Sequence, residues 1–195
     1  MSKPIPKNGP LWGLGLIIAV VLAVLLIATH RSKPSASTQN NTVSDTSIGL
    51  SFNISKDFQP IPRDVLTAMN PGFLYGFQAT DSTSTQCIIS QTKLNKPIKV
   101  SNGALHFLEQ GAFDDIQKNH PGAKLIDWAV VQTASGPAAL LETSYKDGSA
   151  KIRRAEVILP SDTALTFAYC QSPSGQNDRY RSDFSVLFDS LKVTK

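Results

Sequence analysis

Cysteine occurs twice and histidine three times in 195 residues, and that scarcity removes several function classes at once. His30, His106 and His120 stand in no His-x-x-x-His pair, and no acidic partner lies at ligand spacing, so neither a zinc site nor a Ser/His/Asp triad is written here. Ser51, Ser90 and Ser144 lie outside any Gly-x-Ser-x-Gly setting, which excludes a nucleophile elbow. No glycine-rich phosphate loop is present. Excess charge is missing as well. The net charge is +4, but Lys3, Lys7, Arg31 and Lys33 carry all of it. Of the nineteen Lys and Arg, these four precede Asp45, which leaves fifteen to match the fifteen Asp and Glu. A neutral domain gives no support to nucleic-acid binding, and the basic flanks suit contact with anionic lipid headgroups.

What the chain does have is one long apolar run. Residues 11–29 read LWGLGLIIAVVLAVLLIAT without a charge. At about 1.5 Å per residue they span roughly 28 Å, close to the ~30 Å of a bilayer core. The flank Ala28-Thr29-His30-Arg31-Ser32-Lys33 puts bulky cations where a cleaved signal needs small residues. A lipoprotein signal needs a cysteine there, and the first one is Cys87. A core helix would carry a polar face, and this run has none. The expectation is a retained single-pass anchor that contacts membrane lipid through residues 11–29, with 1–10 as a short cytoplasmic N-terminus. The larger C-terminal part then lies on the extracytoplasmic side of the inner (plasma) membrane.

Residues 30–46 are polar and nearly free of bulky side chains, which predicts a flexible linker. From Ser47 onward the hydrophobic period is two. Leu50, Phe52 and Ile54 alternate with polar residues, and further strands are predicted over 73–77, 86–93, 124–133, 138–145, 151–159 and 164–170. Asp147-Gly148 is the strongest hairpin signal. Two segments change to a period near 3.6. Asn102–Asn119 aligns Leu105, Leu108, Ala112 and Ile116, with Ser101 or Asn102 as its cap. Residues 177–193 align Tyr180, Phe184, Leu187, Phe188 and Leu191, capped by Asn177 or Asp178. The fold expected for 47–195 is α+β, an antiparallel sheet of six or seven strands packed with two amphipathic helices.

Gly49-Leu50-Ser51-Phe52 at the opening, Gly136-Pro137-Ala138-Ala139 before a strand, Lys151 to Leu159 after a tight turn and FSVLFDSLKV over 184–193 follow one another in a familiar order. The order resembles the PsbP/Mog1-like fold, including bacterial DcrB-type envelope proteins. The chain departs from that pattern in two places. Ser55-Lys56-Asp57-Phe58 stands where such proteins commonly carry Pro-x-x-Trp, and the lipid-modified cysteine of DcrB-type proteins is absent. The resemblance implies an accessory or binding module rather than an enzyme.

Few side chains are candidates for chemistry. Asp114 and Asp115 diverge by about 100° on a helix and do not chelate one ion together. Lys151, Arg153 and Arg154 read as an edge strand guarded by charge. Trp128, Tyr145 and Tyr169, with Phe167, lie on predicted strands and line either a binding face or the core. Cys87 and Cys170 either form a disulfide, which an exported domain favours, or remain two buried thiols. No catalytic, metal or cofactor residue is assigned. The function expected is that of a non-catalytic envelope protein binding another protein of the membrane or envelope. The alternative is a small-ligand module with a cleft between sheet and helix.

Overall fold

The computed structural model describes residues 40–193. The anchor expected at 11–29, the segment 1–10 and the first part of the expected linker lie outside the described residues. Among the described residues no helix is long and apolar enough to cross a membrane.

The elements run β1 (Asn40–Asp45), β2 (Leu50–Ser55), β3 (Phe58–Pro60), α1 (Arg63–Met69), β4 (Phe73–Ala79), β5 (Ser82–Lys93), α2 (Asn102–Asn119), β6 (Lys124–Thr133), β7 (Gly136–Asp147), β8 (Ala150–Pro160), β9 (Ala164–Pro173), α3 (Asn177–Ser190) and β10 (Lys192–Val193). Seven strands form one sheet in the order β3-β4-β5-β9-β8-β7-β6, and β1-β2-β10 form a second, smaller one. Every pairing is antiparallel. Asp147 and Ala150 close the β7–β8 hairpin, with Gly148 at φ +56° supplying the turn that its sequence announces.

Strand alternation divides the core between the two faces of the large sheet. On one face Ala138, Val157, Ala168 and Cys170 meet Tyr180, Phe184 and Leu187 of α3 together with Leu50, Phe52 and Ile54 of β2. On the other, Ala139, Leu141 and Ile158 meet Leu105 and Ile116 of α2. Ser101 caps α2 by accepting the Ala104 N–H at 3.2 Å. Phe58 packs against Tyr180 and Phe184, so β3 is pinned to α3 by an aromatic ring.

Several expectations need correction. Residues 40–45 are not tether: they pair with β2 from Asn40↔Ser55 to Asp45↔Leu50. Their order comes from hydrogen bonding rather than their own hydrophobicity. Tyr75 Oη donates to Asp45 Oδ2 at 2.7 Å, and Thr42 Oγ1 donates to Asn53 Oδ1 at 2.9 Å. The short helix α1 escapes the periodicity test because it buries only Leu66. Leu66 settles over Gly76, where a Cβ would stand 2.6 Å from its Cδ1. The C-terminal helix stops at Ser190, and Lys192–Val193 returns as a strand on β2. Its N-cap is Gln176, which makes no side-chain capping bond. Finally β8 is central, between β7 and β9, so its arginines do not guard an edge.

Candidate functional site

The central position of β8 puts Arg154 and Glu156, two residues apart on one strand face, under α2. Arg154 Nη2 donates to Glu156 Oε2 at 2.7 Å, and the carboxylate side chain is 5% exposed. The guanidinium lies over the ring of Tyr169 on β9, 3.7 Å from its centroid. Burial opposes the charge on Arg154, but Glu156, Tyr169 and Tyr145 outweigh it and hold its pKa above the ordinary value. Burial pushes the Tyr169 phenol up to about 12, against the pull of Arg154. Tyr145 on β7 is also raised by burial. Its Oη donates to Gln171 Oε1 at 2.9 Å, and its ring stacks on His120 at 4.0 Å.

Above this polar floor lies a groove of about 520 Å³, within the ~300–1,000 Å³ of small-molecule sites. One wall is α2, through Phe107, Leu108, Gly111 and Asp115. The other is Asn70, at the end of α1, with Phe73, and the floor adds Ser90, Thr92 and Phe167. Helix α2 lies over β6, β7 and the near side of β8, and α1, two turns long, lies over β4, so the stretch of β5 and β9 between them is left open to the groove. Phe107 is 77% exposed at the lip. Two buried polar atoms on this face, Arg154 Nε and its cross-strand neighbour Thr143 Oγ1, have no hydrogen-bond partner among the described residues. Hydrogen-bonding capacity is therefore left over beneath the groove.

Of the aromatic residues picked from sequence, Tyr169 and Phe167 line the groove, and Tyr145 is buried beside it behind His120. Trp128 is not brought to it. It lies on β6, 46% exposed, against the His106 ring at 4.7 Å. Cys87 and Cys170 are directly opposed on β5 and β9 and their sulfurs are bonded at 2.07 Å, on the α3 face. The residues that sequence reasoning missed are Phe73, Phe107 and the Arg154–Glu156 pair. The signal for the pair was present: Arg154 and Glu156 share the parity of Ile152 and Ile158, a charged couple inside an apolar face.

Solved structures share this architecture. The cyanobacterial PsbP (CyanoP) from Synechocystis sp. PCC 6803 is similar at a TM-score of 0.55 and 13% identity, covering 86% of this chain and 99% of its own. LpqN of Mycobacterium tuberculosis, described as involved in cell envelope biogenesis, is similar at 0.56 and 15% identity, over 80% of this chain and 91% of its own. The fold is PsbP/Mog1-like. No protein-family model matches the chain. No curated protein sequence matches it either. Within this PsbP-like domain the groove lies on the sheet face opposite the small sheet and α3, and Leu108, Ala112, Ile116 and Phe167 of the α2-side core line it.

Proposed function

We propose that this chain is a membrane-anchored accessory protein of the cell envelope whose PsbP-like domain acts by binding and not by catalysis. The observation that carries the reading is the groove under α2. It is large enough for a small molecule, walled by aromatic rings, and floored by the Arg154–Glu156 pair with hydrogen-bonding capacity left over beside it. Arg154 and Glu156 are engaged as a pair, and the His120 ring is stacked on Tyr145. Such groups suit the orientation of a ligand through hydrogen bonds. This geometry favours the small-ligand form of the function. The PsbP-like fold and the involvement of LpqN in cell envelope biogenesis support the accessory setting, and the apolar run at 11–29 supports the anchor. A protein partner is favoured separately by one observation, the exposed apolar strand β6.

The test is the melting temperature of the full chain in detergent, measured against pools of envelope-derived small molecules. A ligand that binds only the folded state at a hundred times its Kd adds about 2.7 kcal/mol of stability, a rise of several degrees. At least one pool is expected to give it. A flat response to every pool contradicts the small-ligand form.

A further inference from the structure

The large sheet has two edges, and they are built differently. The edge at β3 is three residues long and ends in Pro60, a short strand closed by a residue that offers no N–H. The edge at β6 is ten residues long. Its one register shift lies between Leu125 and Asp127, and from Trp128 to Thr133 it contains no proline, no charge and no bulge, which are the usual means of discouraging another strand.

The register shows which backbone groups of β6 face outward. Gln132 is paired with Pro137, and proline has no N–H to exchange, so this is a non-hydrogen-bonded pair. By alternation Val130 and Trp128 are of the same type. All three residues turn N–H and C=O away from β7. Consistently, the Trp128 N–H is taken by the side chain of Asp127, at 2.9 Å. Among the described residues that carboxylate is the sole group recorded on this row, which leaves Val130 and Gln132 open. Large apolar side chains crowd the same strand: Leu125, Ile126, Trp128 and Val130 are each 41–46% exposed.

We propose that the open edge of β6 is a docking site for an extended segment of another protein, uncharged and apolar at alternate positions, which adds to the sheet as an eighth strand. The proposal rests on the reading of this domain as a binding module and names the surface for a protein partner. Main-chain bonds to Val130 and Gln132 supply the attachment, and alternate side chains of the added strand cover Trp128 and Val130. The absence of charge over this stretch sets the matching character of the segment. A second copy of the chain is not the occupant. Four side chains a little under half exposed offer roughly 350 Å², against about 800 Å² per partner where two folded surfaces meet, so the patch fits a single short extended segment and not the matching face of a second folded domain.

The test uses the full chain in detergent and a fluorescein-labelled peptide in which Val and Thr alternate between terminal lysines, followed by fluorescence anisotropy. Saturable binding is expected. It should weaken at least tenfold when alternate peptide nitrogens are methylated, and at least tenfold in Val130→Pro, whose lost N–H takes no part in the β6–β7 ladder. If Val130→Pro does not fold, the methylated peptide decides alone. No saturable binding, or equal binding of the methylated peptide, overturns the proposal. So does self-association seen by sedimentation that Val130→Pro abolishes, because the occupant would then be a second copy. Peptide failure alongside a groove ligand that still raises the melting temperature removes the edge proposal only; peptide binding with no groove ligand removes the small-ligand reading only.

Discussion

Arg154 and Glu156 carry opposite charges into the middle of a seven-stranded sheet, and the consequence is measurable at single residues. Arg154→Met strands a carboxylate on the buried face, and breaking such a pair costs roughly 3–5 kcal/mol. The double variant Arg154→Met/Glu156→Leu removes both charges and is expected within about 1–2 kcal/mol of the parent. Urea unfolding of the two variants checks this, and equal losses in both would show that the pair is not acting as a unit. At the opposite end of the domain, Asp45 holds β1 in place. Its side-chain bonds from Ser47 and Tyr75 lower its pKa below 3.8. A depressed carboxylate stabilises the fold above its unfolded pKa and loses that contribution as pH falls through the folded value. Amide exchange of β1 should therefore speed up below about pH 4, and Asp45→Asn should show the faster exchange already at neutral pH. The sequence displayed both residues, but the environment of each was hidden. Arg154 looked like edge protection because nothing local reveals that β8 is central, and Asp45 looked like linker because Tyr75 lies thirty residues away.

Elements with a strong period were legible and weak ones were not. Helix α2 has the same bounds in sequence and structure because a cap, a period near 3.6 sustained over eighteen residues and a terminal Pro-Gly agree. Helix α1 has one buried residue and no period to detect. Gly76 tests its docking. A Cβ there meets Leu66 and Ile88, so Gly76→Ala should cost about 1–3 kcal/mol through overpacking, read by thermal unfolding. A neutral effect would mean that α1 rides loosely on the sheet. For α3 the contrast lies between neighbours. Phe184 is buried against Phe58 and Tyr180, and Phe184→Ala should lose roughly 3–5 kcal/mol, whereas Ser185→Ala, on the exposed side, should stay within about 0.5. The groove is an element-scale feature that no pattern announces. It exists because α1 and α2 are too far apart to cover β5 and β9 between them, and helix separation is set by tertiary packing alone.

The molecule as a whole is organised around the α3 face, where β2, α3 and the Cys87–Cys170 bond meet. That bond joins residues separated by 83 positions, and a loop of that length is worth about 4.6 kcal/mol in the chain-entropy account. Protein taken from native membranes and alkylated before reduction should show both cysteines protected, and its melting temperature should drop on reduction. Two alkylated thiols would contradict both the bond and an extracytoplasmic domain. Fold class and the succession of strands along the chain could be read from the alternation of polar and apolar residues, but their order across the sheet could not, as the central place of β8 shows. Which face each helix covers could not, since a strand buried on both sides gives the same run of apolar residues whichever helix lies above it.

The central claim is that the groove under α2 is a binding site, and Gly111 offers a direct way to close it. Gly111 lines the groove, and a Cβ placed there meets nothing within 4 Å. Replacing a helical glycine by Phe also gains about 0.5 kcal/mol of helix propensity. Gly111→Phe should therefore fold at least as well as the parent chain while its ring fills the space between α2 and Tyr169. The decisive measurement is the ligand-induced rise in melting temperature of this variant beside the parent. The account predicts an unchanged or higher baseline with the rise abolished. An equal rise in both proteins would contradict it.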